Sequence, residues 1–597
     1  MNGVYRNASL PGILLIIGFL LAILIRIVAL DADPPSTAGL HFISDEGWWV
    51  HNARNKILFD DWILDEFNQS LLISPTFCLA TFMVYSFLGV SYATTRIIPI
   101  LSGILSVLLL TGILRKYLPR RSTVFAAVLF GFSFGFTTLN RTAYVDSTAL
   151  LFVLLAWWLM EWMADRVWAV FLAGMSIALA VATKSYVLSA MPPITVILAL
   201  RIWQQRRTIR WRDLALNTLL VAGGIVSVFL LWRKYIYLPN IDEYRIMYFL
   251  WQDGNFPSTL RDFLVNLPSF FVNRTGDRLI PPRFFFLNAT LVVLAGIRLA
   301  RSMMDTSGSL LEALRNIPSI EKEAWLFLAI VSMEIAPLTA KPFRRYIFMY
   351  LPLIVLAARS IESMATPRSS PYSLPVRIVQ WIGLTGPAIL ILPPFIARLI
   401  PDPVSLPLAW LISTGSLIVL TVAAFPVFQK TALHPKKSIT CIVVSLFLLL
   451  DGGLHLHAFT TRSTTMRDTS RELGLTYFTP GTVVLGGIAH SLCLETTARA
   501  ITIWGRQEAP RVLNQDPVRR FHPDYLIVLK KLDGQPWVEE ERYYRYVDPG
   551  NYIRDIRLLP NGNDFRVHAE LYQAPRVEPD TPEPEKLLVA VPPAAGH

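Results

Sequence analysis

The sequence predicts a polytopic α-helical membrane protein that ends in a small extracytoplasmic α/β domain. Of its 597 residues, 53% are hydrophobic and only 16% are charged, and the mean hydropathy is +0.45. A soluble protein of this length would carry about a quarter charged residues. Apolar runs of span length recur along residues 1–458, whereas residues 459–575 contain short β-branched runs between turns.

The formal net charge of +12 indicates membrane topology and argues against a nucleic-acid partner. No polar domain carries a basic run with interleaved aromatic residues, and most cationic clusters lie between apolar segments. The three cysteines are too scattered for a disulfide framework or a metal cluster. The expected partners are therefore membrane lipids.

Counting about 20 apolar residues per span gives thirteen candidate transmembrane helices. They begin near Pro11, Ala93, Ser122, Val145, Trp168, Val187, Leu214, Phe284, Glu323, Arg345, Val376, Pro407 and Ile439. The first run has no small-residue cleavage site and many spans follow it, so we interpret it as a retained anchor.

The basic clusters between spans fall on one side of the membrane only if residues 71–92 do not cross it. This segment, interrupted at Pro75, is therefore predicted to be a surface or re-entrant helical stretch. The positive-inside rule then places the N-terminus in the cytoplasm of a multi-pass protein of the plasma (inner) membrane. Residues 31–92 and 234–283 become extracytoplasmic loops, on the same side as the C-terminal domain.

The C-terminal domain is predicted over residues 459–575. The stretches GTVVLGGIA, ARAITIWG and DYLIVLKKL are short β-branched runs separated by turn residues and polar helical stretches, as in a small α/β fold. Residues 576–597 are rich in proline and acids, and they are predicted to be a disordered tail.

The stretch HFISDEGWWVHNARNKI follows the first span and carries adjacent carboxylates at Asp45 and Glu46. One interpretation is structural: Ser44 caps a helix whose N-terminal dipole favours both acids. That helix would be amphipathic and rest on the bilayer interface, with Trp49 on its apolar stripe and His51, Asn52 and Asn55 on its polar face. The other interpretation is chemical, because paired acids supply a general base or ligands for a divalent metal ion.

Further charged groups lie at span ends on the same predicted face. They are Asp146 preceded by Arg141, Lys184, and the group Lys341, Arg344, Arg345 and Tyr346 at the tenth span. A span-end cation alone is explained by snorkelling, and an acid after an arginine by an exposed salt bridge. Together, however, lysine and arginine suit a phosphate, and the nearby acids suit proton transfer. Such a site matches sugar transfer from a phospholipid.

Five stretches, in this order and spacing, resemble the GT-C glycosyltransferases of the protein O-mannosyltransferase and lipid A aminoarabinose transferase group. They are SDEGWW, FLGVSYATTRIIPILSGILSVLLLTGILRKYL, FGFTTLNRTAYVDSTALLF, ATKSYV and KPFRRYIFMYLPLIVLAA, within residues 10–365. The resemblance implies a GT-C transmembrane catalytic domain over residues 1–458. It also implies transfer of one sugar from a polyprenyl-phosphate-linked donor to an extracytoplasmic protein, lipid or glycan acceptor.

The resemblance also implies roles for individual residues. Asp45 matches the essential first-loop acid, Glu46 completes a mannosyltransferase-like acid pair, and Asp146 matches the second-loop acid. The implied donor phosphate-binding set is Lys184, Lys341, Arg344, Arg345 and Tyr346. Later in the first loop, where many members carry an acid, His or Pro pair, this chain has LDEFNQSLLISP. Asp65, Glu66 or Asn68 could fill that place, with Glu66 as a further candidate site residue, and whether a divalent metal ion is a cofactor stays open.

This interpretation predicts transfer with inversion. The leaving lipid phosphate is stable as an anion, so its charge must be paired but need not be protonated. Asp45 would take the proton of the acceptor hydroxyl, and a single base without a protein nucleophile implies inversion. If the acceptor is already ionised, as a lipid phosphate would be, Asp45 would instead orient it or bind a metal ion.

Two other functions stay open. A polytopic transporter or flippase of a lipid-linked or anionic substrate would also have many spans and buried charge, but it should show related halves and Gly/Pro-broken spans at the midplane. Here the charged groups cluster at one surface. An oligosaccharyltransferase-like enzyme shares the fold class, but no WWD-like peptide-recognition segment occurs in the C-terminal sequence.

Overall fold

The structure, a computed structural model, describes most of the first half of the chain and parts of the second. The described residues are 10–34, 41–63, 69–205, 210–244, 319–336, 343–365, 451–502, 517–531, 547–556 and 567–575, with short stretches and single positions between 261 and 298. The predicted spans near Val376 and Pro407, the start of the span near Ile439, and the tail 576–597 lie outside the described residues.

The first half of the chain is helical because its apolar runs are long and contain few residues that break helices. Its helices are α1 (Leu10–Ile27), α2 (His41–Phe59), α3 (Ser70–Ile73), α4 (Pro75–Leu88), α5 (Tyr92–Thr95), α6 (Ile97–Leu114), α7 (Arg120–Phe132), α8 (Phe134–Asn140), α9 (Asp146–Trp162), α10 (Val167–Thr183), α11 (Met191–Gln205) and α12 (Trp211–Trp232). A 3-10 turn, Ser185–Ala190, joins α10 to α11, and a π-helical turn, Arg233–Tyr237, extends α12.

The second half contains shorter described elements. They are a hairpin of β1 (Asn273–Thr275) and β2 (Arg278–Ile280), then α13 (Ser319–Ile335), a 3-10 helix (Phe343–Met349), α14 (Tyr350–Ala365), α15 (Gly453–Thr460), α16 (Thr465–Thr476), α17 (Ala489–Leu492) and α18 (Pro517–Phe521). The strands of the C-terminal sheet are interleaved with the last of these helices.

Three described helical stretches are long and apolar enough to cross a membrane: Tyr92–Leu114, Ser185–Trp203 and Trp211–Tyr244. The pair Ser122–Phe132 and Phe134–Asn140, bent by 57°, makes a fourth if it is one broken span. A multi-pass membrane fold follows from these stretches. The total of thirteen spans stays a prediction.

The segment predicted not to cross the membrane is helical and is broken at Pro75. α3 ends just before it, and α4 begins at the proline, where a missing backbone N–H removes no helical hydrogen bond. With 14 residues, α4 is shorter than the roughly 20 that a span needs. Leu79, Met83 and Phe87 lie along its outer side and are 40%, 57% and 86% exposed. These features agree with a surface helix, although the side of the membrane stays a prediction.

The C-terminal region contains a five-stranded mixed sheet in the order β4-β3-β5-β7-β6. Its strands are β3 (Val483–Gly486), β4 (Arg499–Ile501), β5 (Tyr525–Lys531), β6 (Tyr552–Ile556) and β7 (Val567–Gln573). β3 pairs in parallel with β4 and β5, whereas β7 is antiparallel to β5 and β6. The predicted small α/β fold is present, and the boundaries at 459 and 575 stay a prediction.

One cluster of buried apolar side chains runs through both parts of the molecule. It includes Val50 of α2, Phe130 of α7, Ile354 of α14 and Ile527 of β5. The segment predicted to be the first extracytoplasmic loop therefore shares a core with the spans and with the C-terminal sheet.

Candidate active site

The two adjacent acids lie in the second turn of α2. This helix begins at His41, so its first turn carries no acid, and Ser44 lies inside the helix. The expectation that Ser44 caps a helix starting at Asp45 and Glu46 is therefore wrong. Helix capping does not explain the acid pair.

α2 is enclosed by protein, so the expectation of an amphipathic helix on the bilayer surface is also wrong. Trp49 is 2% exposed, and the side chains expected on the polar face, His51, Asn52 and Asn55, are completely buried. The helix packs against α4 on one side and α17 on another. Its polar residues face other segments of the chain instead of water.

Glu46 forms a buried bidentate ion pair with Arg96. Arg96 Nε lies 2.6 Å from Glu46 Oε1, and Nη2 lies 2.7 Å from Oε2. The backbone N–H of Ala143 also donates to Oε1, at 3.0 Å. Because both carboxylate oxygens already accept strong hydrogen bonds, these contacts favour a positioning role for Glu46 over the predicted catalytic one. Glu46 joins the first loop to the segment that precedes α9.

Asp45 is half-buried and contacts the same segment. Tyr144 Oη donates to Asp45 Oδ2 at 3.4 Å, a long hydrogen bond, and Tyr144 itself is buried. Tyr144 precedes Asp146 by two residues. The structure thus brings the first-loop acid beside the segment that carries the second-loop acid.

Asp146 is the first residue of α9 and is completely buried. The structural interpretation of this acid as part of an exposed salt bridge with Arg141 is therefore wrong. Arg141 donates instead to the carbonyls of Val28 at 2.7 Å and Ala29 at 2.8 Å, just after α1. Arg141 ties the second loop to the end of the first helix, while the N-terminal dipole of α9 favours the carboxylate.

Lys184, at the end of α10, lies over aromatic rings. Its Nζ is 3.9 Å from the ring centroid of Trp49 and 5.3 Å from that of Tyr186, and the residue is 9% exposed. A snorkelling anchor would extend its ammonium group into water. Lys184 instead makes a cation–π contact with the residue one turn after Asp45. The cation and the acid therefore lie along one face of α2.

The tenth-span group lies near the 3-10 turn Ser185–Ala190, which follows Lys184. The 3-10 helix Phe343–Met349 packs against α9, and the rings of Phe348 and Tyr186 meet edge-on at 6.2 Å. Tyr346 is completely buried and stacks on Phe284 at 5.0 Å, which favours a packing role for it.

The other predicted cations are described less fully. Arg345 is half-buried, and Arg344 lies in the same 3-10 helix. Lys341 and Glu66 lie outside the described residues.

Asn52 is a site residue that sequence reasoning missed. Its Oδ1 accepts from Ser70 Oγ at 2.9 Å and from the N–H of Leu71 at 2.7 Å, and its Nδ2 donates to the carbonyl of Trp62 at 2.7 Å. The only sequence feature that could have identified Asn52 is its position seven residues after Asp45, which places both on one helical face.

These bonds hold Trp62, Ser70 and Leu71 against the face of α2 that carries Asp45. The next turn of this loop is fixed to the end of α10, because Ser74 Oγ donates to the carbonyl of Thr183 at 2.6 Å. The described parts of the loop are thereby anchored to α2 and to the residue that precedes Lys184.

The described acids do not fit the divalent metal ion that paired carboxylates suggested. In the part of the chain that the structure describes, no three His, Cys, Asp or Glu side chains group to hold a metal. Glu46 is engaged by Arg96.

Comparison with known proteins agrees with this architecture. Residues 76–242 match the family model described as dolichyl-phosphate-mannose-protein mannosyltransferase. The structure is similar to ArnT from Cupriavidus metallidurans in the apo state, with a TM-score of 0.55, 14% identity, and coverage of 94% of this chain and 97% of that one. For the same protein bound to undecaprenyl phosphate, the TM-score is 0.52, at 14% identity, with coverage of 94% and 98%. No curated protein matches the chain.

The fold is similar to that of ArnT along most of both chains. The predicted resemblance to the protein mannosyltransferase and ArnT-like group is confirmed by the family match over residues 76–242 and by the fold similarity along most of the chain.

Proposed function

We propose that this protein is an integral membrane glycosyltransferase that moves a single sugar from a polyprenyl-phosphate-linked donor to an acceptor outside the cytoplasm. The observation that carries the proposal is that an acid and a cation lie along one face of α2. Asp45 lies beside Tyr144, and Lys184 lies over Trp49. The family match and the binding of undecaprenyl phosphate by the similar ArnT support the choice of donor.

In this proposal the cations hold the donor phosphate. Lys184 supplies a compact positive charge, and the guanidinium groups of Arg344 and Arg345, with Lys341 nearby, supply planar forks that match phosphate oxygens. These groups lie at span ends, where a lipid phosphate resides while its polyprenyl tail lies among the spans. Pairing the phosphate charge stabilises the leaving group as the glycosidic bond breaks.

Asp45 is the proposed general base. As the acceptor oxygen bonds to the anomeric carbon, the bond from that carbon to the phosphate oxygen breaks, and the hydroxyl proton passes to the Asp45 carboxylate. Attack from the face opposite the phosphate inverts the anomeric configuration. With an acceptor that is already ionised, Asp45 orients the nucleophile. Asp146, at the start of α9, is the second acid of the proposed site.

The proposed setting is the plasma (inner) membrane, with the N-terminus in the cytoplasm. Residues 31–92, 234–283 and 459–575 then lie outside, and residues 1–458 form the catalytic domain. Anchoring of Trp62 to Asn52 of α2 and of Ser74 to Thr183, the residue before Lys184, supports a cover that excludes water, which would otherwise hydrolyse the donor.

The test uses the full chain in lipid nanodiscs with undecaprenyl phosphate carrying a radiolabelled hexose or aminopentose, and with extracted envelope lipids and peptides as acceptors. We expect release of undecaprenyl phosphate and labelled acceptor from at least one donor. In proteoliposomes, movement of an intact labelled lipid across the bilayer without bond cleavage would instead identify a flippase.

A further inference from the structure

One buried arginine of α2 forms hydrogen bonds with the C-terminal domain. Arg54 donates to the carbonyls of Leu494 at 3.1 Å, Thr496 at 2.7 Å and Ala498 at 2.9 Å, across more than 400 residues of sequence. These three carbonyls belong to residues 489–498, which comprise α17 and the turn after it. We call this stretch the 489–498 segment.

The energetics of this contact indicate that its main effect is to position α2 and not to stabilise the fold. The Arg54 side chain is completely buried, and no carboxylate in the described ranges pairs with it. Burying a guanidinium that only carbonyl dipoles compensate contributes little to stability, because desolvation offsets the hydrogen bonds. Three carbonyls around one planar group do, however, fix the rotation and the axial position of α2.

A close approach at Gly47, two turns before Arg54, gives a second constraint on α2. A Cβ atom built on Gly47 would lie 2.5 Å from Ser491 Oγ and 2.6 Å from Ser491 Cα. Because a backbone atom cannot rotate away as a side chain can, any larger residue at this position must push α2 off the 489–498 segment. Gly47 directly follows the acid pair, so such a shift would move Asp45.

The same segment also holds the start of the next span. Tyr92 Oη donates to the carbonyl of Ser491 at 2.6 Å, and the N–H of Tyr92 donates to Glu495 Oε1 at 2.9 Å. Four residues later, Arg96 pairs with Glu46. The contacts close a ring that runs from the 489–498 segment through α2 to Arg96 and back through Tyr92.

We propose that the 489–498 segment of the C-terminal domain positions Asp45 for reaction, with Arg54 as the positioning residue. The inference rests on the proposed function, because it assumes that Asp45 acts on the acceptor. Arg54 itself touches no substrate and acts through α2.

The test compares Arg54→Lys and Gly47→Ala with two matched controls in full-length protein. Arg499→Lys changes an exposed arginine that lies over Phe59, as Arg54 does, but makes no carbonyl clamp. Gly453→Ala adds a methyl group where nothing lies within 4 Å. The probe donor is undecaprenyl phosphate carrying a labelled sugar, and hydrogen exchange of residues 44–52 and 141–147 is measured in parallel.

We expect both test variants to lower kcat by about a hundredfold at an unchanged donor KM, since a shift of about 1 Å suffices for such a loss. Hydrogen exchange should rise in residues 44–52 and 141–147 but not in the C-terminal sheet, and both controls should behave like the wild type. Normal kcat per folded molecule in both test variants would overturn the inference.

Failure of the proposed function gives a different result. In that case the wild type transfers no sugar from any donor, and hydrogen exchange alone tests whether the 489–498 segment positions α2. Increased exchange in both stretches would support positioning of α2, and unchanged exchange would overturn it.

Discussion

The two halves of α2 are held in different ways. In the first half, Asp45 makes a long hydrogen bond of 3.4 Å to Tyr144, and Trp49 meets the ammonium group of Lys184. In the second half, Arg54 is completely buried and donates to three carbonyls. Both halves are therefore anchored, the first by the Glu46–Arg96 pair and the second by Arg54, but only the first half also carries a half-buried acid, Asp45, with a long hydrogen bond.

The largest expected effect is on stability, from the ion pair that fastens the first half of α2 to the spans. Glu46→Gln leaves the Arg96 charge buried without its carboxylate partner, which costs about 3–5 kcal/mol. Thermal unfolding of the purified protein measures this loss. Asp61→Asn, an exposed acid in the same loop, is the control. A melting temperature equal to that of the wild type would mean that the pair does not hold α2.

Asp146→Asn should lower transfer by about a hundredfold or more while leaving the fold nearly intact, as expected when a buried site acid loses its charge. Turnover per folded molecule measures the effect. If the variant unfolds early and its folded fraction transfers sugar normally, Asp146 only stabilises the start of α9.

A smaller effect is expected at the tenth span. Arg345→Lys replaces a bidentate fork by a point charge, so donor use should weaken by about 1–3 kcal/mol. Donor titration measures it, with Arg115→Lys, an exposed arginine at the end of α6, as control. Unchanged half-saturation and turnover would identify Arg345 as a lipid anchor.

The smallest effect concerns pH and the second half of α2. Burial lowers the pKa of His51 well below its usual value, and the nearby charges of Arg54 and His490 lower it further. As the pH falls, His51 is therefore protonated in the unfolded chain, where its pKa is about 6.5, before it is protonated in the folded protein. Stability from neutral His51 is complete above that pH and is lost as the pH falls below it, by up to about 1.4 kcal/mol per unit.

Melting temperatures measured between pH 7 and pH 5 check this expectation. His51→Gln should flatten the decline, whereas His522→Asn, at an exposed position, should not. Equal pH dependence in the wild type and both variants would contradict the assignment to His51.

Local sequence patterns predicted much of the secondary structure. The break at Pro75 occurs where the proline predicts it, and β3, β4 and β5 fall within the three β-branched runs. β6 and β7 were not predicted, because their sequences, YIRDI and VHAELYQ, mix charged residues with apolar ones.

The burial of α2 could not be predicted from its own sequence. A helical period shows which residues share a face but not what covers that face. The partners of Arg54 lie more than 400 residues away, and Arg96 lies 50 residues from Glu46. For the same reason, Asn52 looked like a surface residue although it holds the first loop in place.

The Asp45→Asn variant separates donor binding from sugar transfer at the half-buried end of α2. Binding of undecaprenyl phosphate and transfer of sugar from its labelled derivative are measured on the same preparation. We expect binding equal to that of the wild type and transfer lowered by about a hundredfold or more. Normal transfer by Asp45→Asn, with normal binding, would show that this end of α2 does not carry the reacting acid.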